Sequence, residues 1–176
     1  SSQKLQGGKI HIAGNISSQY LSALLMIAAT MPKGLTLNIE HKLYSKPYLE
    51  MTLDLLNQFK IKFENKNFKQ IKITHQQIKN PKNFIVESDA SCASYIAAYS
   101  ALHPLKNIYL KNLFEKSLQG DMRFLEFFKK IGGSFRYTKN GLLLKGSKKL
   151  KALGTVNMNE TPDLVMTFAI LAMFAD

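Results

Sequence analysis

A pattern of elements that recurs at intervals of a little over seventy residues constrains this chain more than any other feature. Ser17 and Ser91, each ahead of an apolar helical run, lie 74 residues apart. Phe63 and Phe135, each in a strand-like run that follows an amphipathic helix, lie 72 apart, and Ile71 and Leu142 lie 71 apart. Self-similarity at such a period marks a repeated supersecondary unit, which buries its apolar face by packing on its neighbours. A third copy begins at Thr155-Val156-Asn157-Met158, and Asp163 stands 144 residues after Gln19, twice 72.

Each copy reads as strand, helix, strand, helix and hairpin. Lys9 to Ala13 alternates and predicts a strand. The helix after it, from Ser17 or Ser18 to about Thr30, is apolar nearly all round and is expected to be buried on all sides. Pro32 and Gly34 end it, and Leu35 to Ile39 predicts the second strand. Pro47 suits a helix start, and Leu49, Leu53, Leu56 and Phe59 form one apolar stripe from Tyr48 to about Lys60. Ile61 to Glu64 and Phe68 to Thr74 read as a hairpin around Asn65-Lys66-Asn67.

After a polar linker, His75 to Asn83, the order repeats: a strand at Phe84 to Glu87, a helix from Asp89-Ala90-Ser91-Cys92 to about Leu102, and a strand at Asn107 to Leu110. Gln119-Gly120-Asp121 opens an amphipathic helix with Phe124, Phe128 and Ile131, ended by Gly132-Gly133. Phe135 to Thr138 and Leu142 to Lys145 form a hairpin on Asn140-Gly141, a dipeptide suited to tight turns. The expected architecture is α/β, with apolar helices in the middle and sheets outside.

No apolar run reaches the roughly 20 residues of a membrane-spanning helix. The start is polar and lacks methionine, and the chain stops inside an apolar run, which reads as a fragment of a longer protein without a signal peptide. A single cysteine excludes an internal disulfide and fits a reducing cytoplasm. The net charge of +12 rests almost wholly on lysine, Arg123 and Arg136 being the only arginines. Nucleic-acid binders cluster their basic residues and favour arginine; here the lysines are scattered, which speaks against such a partner. The four histidines are far apart, with no metal-ligand spacing.

The chemistry concentrates at Asn15-Ile16-Ser17-Ser18-Gln19, where a strand hands over to a helix. The first turn of a helix has unpartnered N–H groups and partial positive charge, so serine hydroxyls there can cap the helix or cradle a phosphate. Asp163 sits in the equivalent corner of the third copy, where an acid after Pro162 also complements the dipole. Cys92 near a helix start could have a lowered thiol pKa, though among small residues it reads as packing.

Five motifs, in order, resemble the 5-enolpyruvylshikimate-3-phosphate synthase family. They are Ser17-Ser18-Gln19-Tyr20-Leu21-Ser22-Ala23-Leu24-Leu25-Met26; Ser45-Lys46-Pro47-Tyr48 with Met51-Thr52-Leu53; Asp89-Ala90-Ser91; Gln119-Gly120-Asp121-Met122-Arg123-Phe124; and Pro162-Asp163 with Met166-Thr167. The resemblance covers essentially the whole chain. It implies an inside-out α/β barrel of six repeats in two lobes, of which roughly 2.4 would be present here. Residues 1–85 would be the last repeat of the first lobe. Residues 86–176 would be the crossover and the first one and a half repeats of the second.

The reaction implied is transfer of enolpyruvyl from phosphoenolpyruvate to the 5-hydroxyl of shikimate 3-phosphate, with release of phosphate and no metal or organic cofactor. By the same resemblance Ser17, Ser18 and Ser45 would bind the shikimate phosphate, Gln19 would contact the ring region and Tyr48 would line the pocket. Asp163 would take part in proton transfer at the attacking hydroxyl. Asp121 and Arg123 would be structural. Most of the phosphoenolpyruvate site lies in motifs this chain lacks, so the chain alone would be inactive. The parent would be a monomer, with no nucleic-acid or membrane partner. Ser88 stands where glycine is common in the family. Two alternatives remain: a transferase acting on UDP-N-acetylglucosamine, and a non-catalytic phosphate- or nucleic-acid-binding module.

Overall fold

The computed structural model describes residues 5–43 and 46–176. They divide into two compact units, Ser1–Phe84 and Ile85–Asp176. In the first, β1 (Gly8–Ala13), α1 (Ser18–Ala28), β2 (Leu35–Glu40), α2 (Lys46–Gln58), β3 (Phe63–Lys66) and β4 (Gln70–Ile73) follow the expected order. The sheet runs β1-β2-β4-β3, with β1 parallel to β2 and the other pairs antiparallel. Alternation along β2 sends Leu35, Leu37 and Ile39 into the core, where Ile71 and Ile73 of β4 join them. On the other side of this layer lie Leu21, Leu25 and Ala28 of α1 and Leu49, Leu53 and Leu56 of α2. At ~25 cal/mol per Å² of apolar surface, burying each leucine contributes on the order of 1.5–3 kcal/mol before entropy is subtracted.

The second unit holds α3 (Ala90–Leu102), β5 (Asn107–Lys111), a 3-10 turn (Gly120–Arg123), α4 (Phe124–Lys130), β6 (Ser134–Thr138), β7 (Gly141–Lys145), a second 3-10 turn (Pro162–Leu164) and α5 (Val165–Ala172). Its sheet is β5-β7-β6, antiparallel throughout. Small and large residues interlock in its core: Ala90, Ala93, Ala97 and Ala101 line α3, and Phe124, Phe127 and Phe128 fill the space from α4. Phe127 meets Phe168 of α5 edge-on, with centroids 5.1 Å apart.

Four expectations are corrected. Phe84 to Glu87 is not a strand. Contact with the end of β5 begins at Ser88, just past the segment, whose N–H donates to the Asn112 carbonyl at 2.8 Å and whose hydroxyl donates to the Lys111 carbonyl at 2.7 Å, so no ladder forms. Thr155 to Met158 forms no strand either. The apolar helices are not buried on all sides. Tyr20, Met26 and Ile27 of α1, Tyr95, Ile96 and Tyr99 of α3, and Val165, Met166 and Ile170 of α5 are exposed. Each of these helices packs on its own unit's core through one side, and the exposed residues lie on the others. Finally, the helix caps align at an interval of 72 rather than 74: Ser17 caps α1 and Asp89 caps α3.

Candidate functional site

Two parallel strands decide where the first corner lies. Because β1 and β2 run the same way, the helices that follow them start at the same edge of the sheet. A close approach fixes the end of β1: the Gly14 N–H donates to the Glu40 carbonyl at 2.7 Å, and a Cβ on Gly14 would stand 2.8 Å from Ile39 Cγ2. Three residues later Ser17 caps α1, its Oγ accepting from the Gln19 N–H at 3.2 Å. That leaves the Ser17 O–H proton to donate outward. Ser17, Gln19 and Tyr20 are exposed and Ser18 is buried.

The adjacent helix brings Tyr48 to the same end. Ser22 Oγ and Thr52 Oγ1 join α1 to α2 at 2.7 Å, and Thr52 Oγ1 also donates to the Tyr48 carbonyl at 2.9 Å. Ser18 and Tyr48 lie one turn toward the N-termini from that pair, so both face the shared edge. Ser17, Ser18, Gln19 and Tyr48 thus occupy one corner of the first unit. Ser45 lies outside the described residues.

The equivalent corner of the second unit is built differently. Asp89 Oδ1 accepts from the Cys92 N–H at 2.8 Å, and the Gln119 side-chain carbonyl accepts from the Ala90 N–H at 2.8 Å. Ser91 Oγ donates to Asp121 Oδ2 at 2.5 Å, and Asp121 is buried. This start is occupied by the protein's own carboxylates and amide. The Asp89 carboxylate pushes the Cys92 thiol above its ordinary range, with burial adding to the effect, the reverse of the lowering expected at a helix start. The motifs 89–91 and 119–121 are therefore structural partners of one another. Arg123 pairs at 3.9 Å with Glu126 and at 3.7 Å with Glu160.

Asp163 sits in the 3-10 turn ahead of α5 and is exposed. It belongs to the second unit, whereas the serine corner belongs to the first. Behind it Thr167 Oγ1 bonds Ser94 Oγ at 2.8 Å and ties α5 to α3. Neither hydroxyl pair between helices, Ser22–Thr52 or Ser94–Thr167, was legible as a pair, because nothing in local spacing shows which helices will touch. Ser88 has no left-handed backbone, and its Oγ donates to the Lys111 carbonyl at 2.7 Å. Among the described residues no group of three or more His, Cys, Asp or Glu could hold a metal ion.

A family model described as EPSP synthase (3-phosphoshikimate 1-carboxyvinyltransferase) matches residues 1–176. The chain is 40% identical over 181 aligned residues to 3-phosphoshikimate 1-carboxyvinyltransferase 1, chloroplastic, of Nicotiana tabacum, covering 98% of this chain and 35% of that protein. It is 38% identical over 172 residues to 3-phosphoshikimate 1-carboxyvinyltransferase of Buchnera aphidicola, covering 97% of this chain and 39% of the relative. It thus spans between a third and two fifths of the length of these curated relatives. In fold it is similar to an EPSP synthase from Acinetobacter baumannii, with a TM-score of 0.63 at 18% identity, over 97% of this chain and 38% of that one.

Proposed function

The chain belongs to the EPSP synthase family, and from that premise we propose that it supplies the shikimate 3-phosphate half-site of a 3-phosphoshikimate 1-carboxyvinyltransferase. The observation that carries this reading is the corner where α1 and α2 start together, with Ser17 and Gln19 exposed, Tyr48 half-buried and Ser18 buried beneath them. In it Ser17 and Ser18 donate to the phosphate of shikimate 3-phosphate, beside the positive end of α1. Ser45 adds a further phosphate contact, Gln19 meets the ring region, and Tyr48 lines the pocket.

The reaction adds the 5-hydroxyl of shikimate 3-phosphate across the double bond of phosphoenolpyruvate, its oxygen to C2 and a proton to C3, and the double bond then re-forms as C3 loses a proton and C2 loses phosphate. Asp163 hydrogen-bonds the attacking hydroxyl and accepts its proton as general base. Phosphoenolpyruvate draws most of its contacts from parts of the enzyme outside this chain, so the chain alone binds one substrate and turns over neither. Residues 1–85 close one lobe of the parent and residues 86–176 begin the other. Among the described residues no helix is long and apolar enough to cross a membrane.

Calorimetric titration of the chain with shikimate 3-phosphate tests the reading. Saturable binding is expected, weakened roughly tenfold or more by Ser18→Ala, because a hydrogen bond to a charged group is worth ~1.5–3 kcal/mol. No heat with shikimate 3-phosphate, or binding of UDP-N-acetylglucosamine instead, would overturn it. Turnover of shikimate 3-phosphate and phosphoenolpyruvate by the isolated chain would refute its inactivity.

A further inference from the structure

The crossover between the units ends in a cluster that the substrate corner does not use. Gln119 spends its whole side chain on it. Its carbonyl oxygen accepts from the Ala90 N–H at 2.8 Å, and its amide nitrogen donates to Glu87 Oε2 and to the Ser88 carbonyl, both at 2.9 Å. Ser117 Oγ donates to the same Glu87 oxygen at 2.5 Å, and Ser88 is held to the end of β5 through its N–H and its hydroxyl. Only an uncharged amide serves all three partners at once, because one is a donor and two are acceptors. A glutamate at 119 would set a third acceptor against Glu87 and the Ser88 carbonyl.

On the other side, Gln76 is fixed to the first unit through Ala29 and Lys62, and Phe84 rests on Phe59 with ring centroids 5.4 Å apart. Between Phe84 and Glu87 stand only Ile85 and Val86, 67% and 72% exposed, in no helix or strand.

We propose that Gln119 is a positioning residue that latches Glu87 to Ala90 onto the second unit, leaving Ile85-Val86 as the joint between the two anchored ends. The latch sets where α3 begins. It also accounts for the pairing of Gln119-Gly120-Asp121 with Asp89-Ala90-Ser91 as parts of one clamp.

Hydrogen–deuterium exchange on the full 176-residue chain tests this. In Gln119→Ala, amides from Glu87 to Ser91 exchange at least tenfold faster, while α4, β6 and β7 keep their rates. Gln119→Glu, which cannot donate, loosens the same segment. Protection of Glu87 to Ser91 unchanged in Gln119→Ala overturns the latch, as does acceleration shared by the whole second unit. Should Gln119→Ala fail to fold, Ser117→Ala removes two bonds of the cluster, one to Glu87 and one from the Gln119 N–H, and loosens the same residues to a smaller degree; no local change there also overturns it. Limited digestion with proteinase K supplies a second readout. Cleavage at Ile85-Val86 is expected in the parent chain, spreading to Ser88 and Asp89 in Gln119→Ala. Cleavage that stays at Ile85-Val86 in both proteins contradicts the latch.

Discussion

The helix starts of the two units occupy the same place in the repeat and do opposite things. At α1 the cap is an exposed serine, one hydroxyl is bound to one amide, and no carboxylate stands among Ser17, Ser18 and Gln19. At α3 the cap is Asp89, the next N–H is taken by Gln119, and buried Asp121 takes the Ser91 hydroxyl. Both satisfy the exposed amides of a first turn. The first does so with neutral groups that can still donate to an anion; the second does so with negative charge, which repels one. A repeated fold therefore supplies several equivalent corners, and the side chains determine which can bind and which can only brace.

The largest effect is expected at the bracing corner. Asp121→Ala removes a buried carboxylate and leaves the Ser91 hydroxyl without it, which should cost ~2–3 kcal/mol in urea unfolding while leaving shikimate 3-phosphate affinity intact. A loss of affinity with no loss of stability would reverse the roles of the two corners. Next come the hydroxyl pairs. Ser94 is fully buried and Ser22 half-buried, so Ser94→Ala should destabilise by about 1–2 kcal/mol and Ser22→Ala by about 0.5–1 kcal/mol. Equal losses would mean that burial does not set their strength.

Ser17→Ala should cost only about 0.5–1 kcal/mol in stability as an exposed cap, and its main effect should be on shikimate 3-phosphate affinity in calorimetry. The smallest effect is chemical. Asp89 holds the Cys92 thiol above its usual pKa, so less thiolate is present at a given pH. Asp89→Asn should move the midpoint of the rate–pH profile for iodoacetamide alkylation downward and speed the reaction at pH 8. An unchanged profile would remove the negative charge from the account of that corner.

Much of this was legible in the chain. Alternation in Leu35 to Ile39 and the stripe Leu49, Leu53, Leu56 led to elements that form where expected, because each depends on residues within a few positions. The expected hairpin forms too, but its two-residue turn is Lys139-Asn140 and Gly141 opens β7 opposite Thr138. Phe84 to Glu87 misled because its apolar composition suits a strand, while strand formation needs a partner in register, and contact with the end of β5 begins only at Ser88, beyond the run. The all-round apolar helices misled similarly: composition says what a helix can bury, and the available layers decide what is buried.

At the candidate site, the residue types follow directly from the chain: hydroxyls and an amide at 17–19, a carboxylate at 89, and another at 163. It also carried the period that makes their corners equivalent. That α1 and α2 open at one edge came only with folding, through the parallel pairing of β1 with β2. Folding alone brought Gln119 and Asp121 against the start of α3, across 29 and 30 residues of chain. The reason is range. Caps, turns and periodicity act over a few residues, whereas the choice between an open and an occupied helix start depends on groups that the chain must fold to bring near.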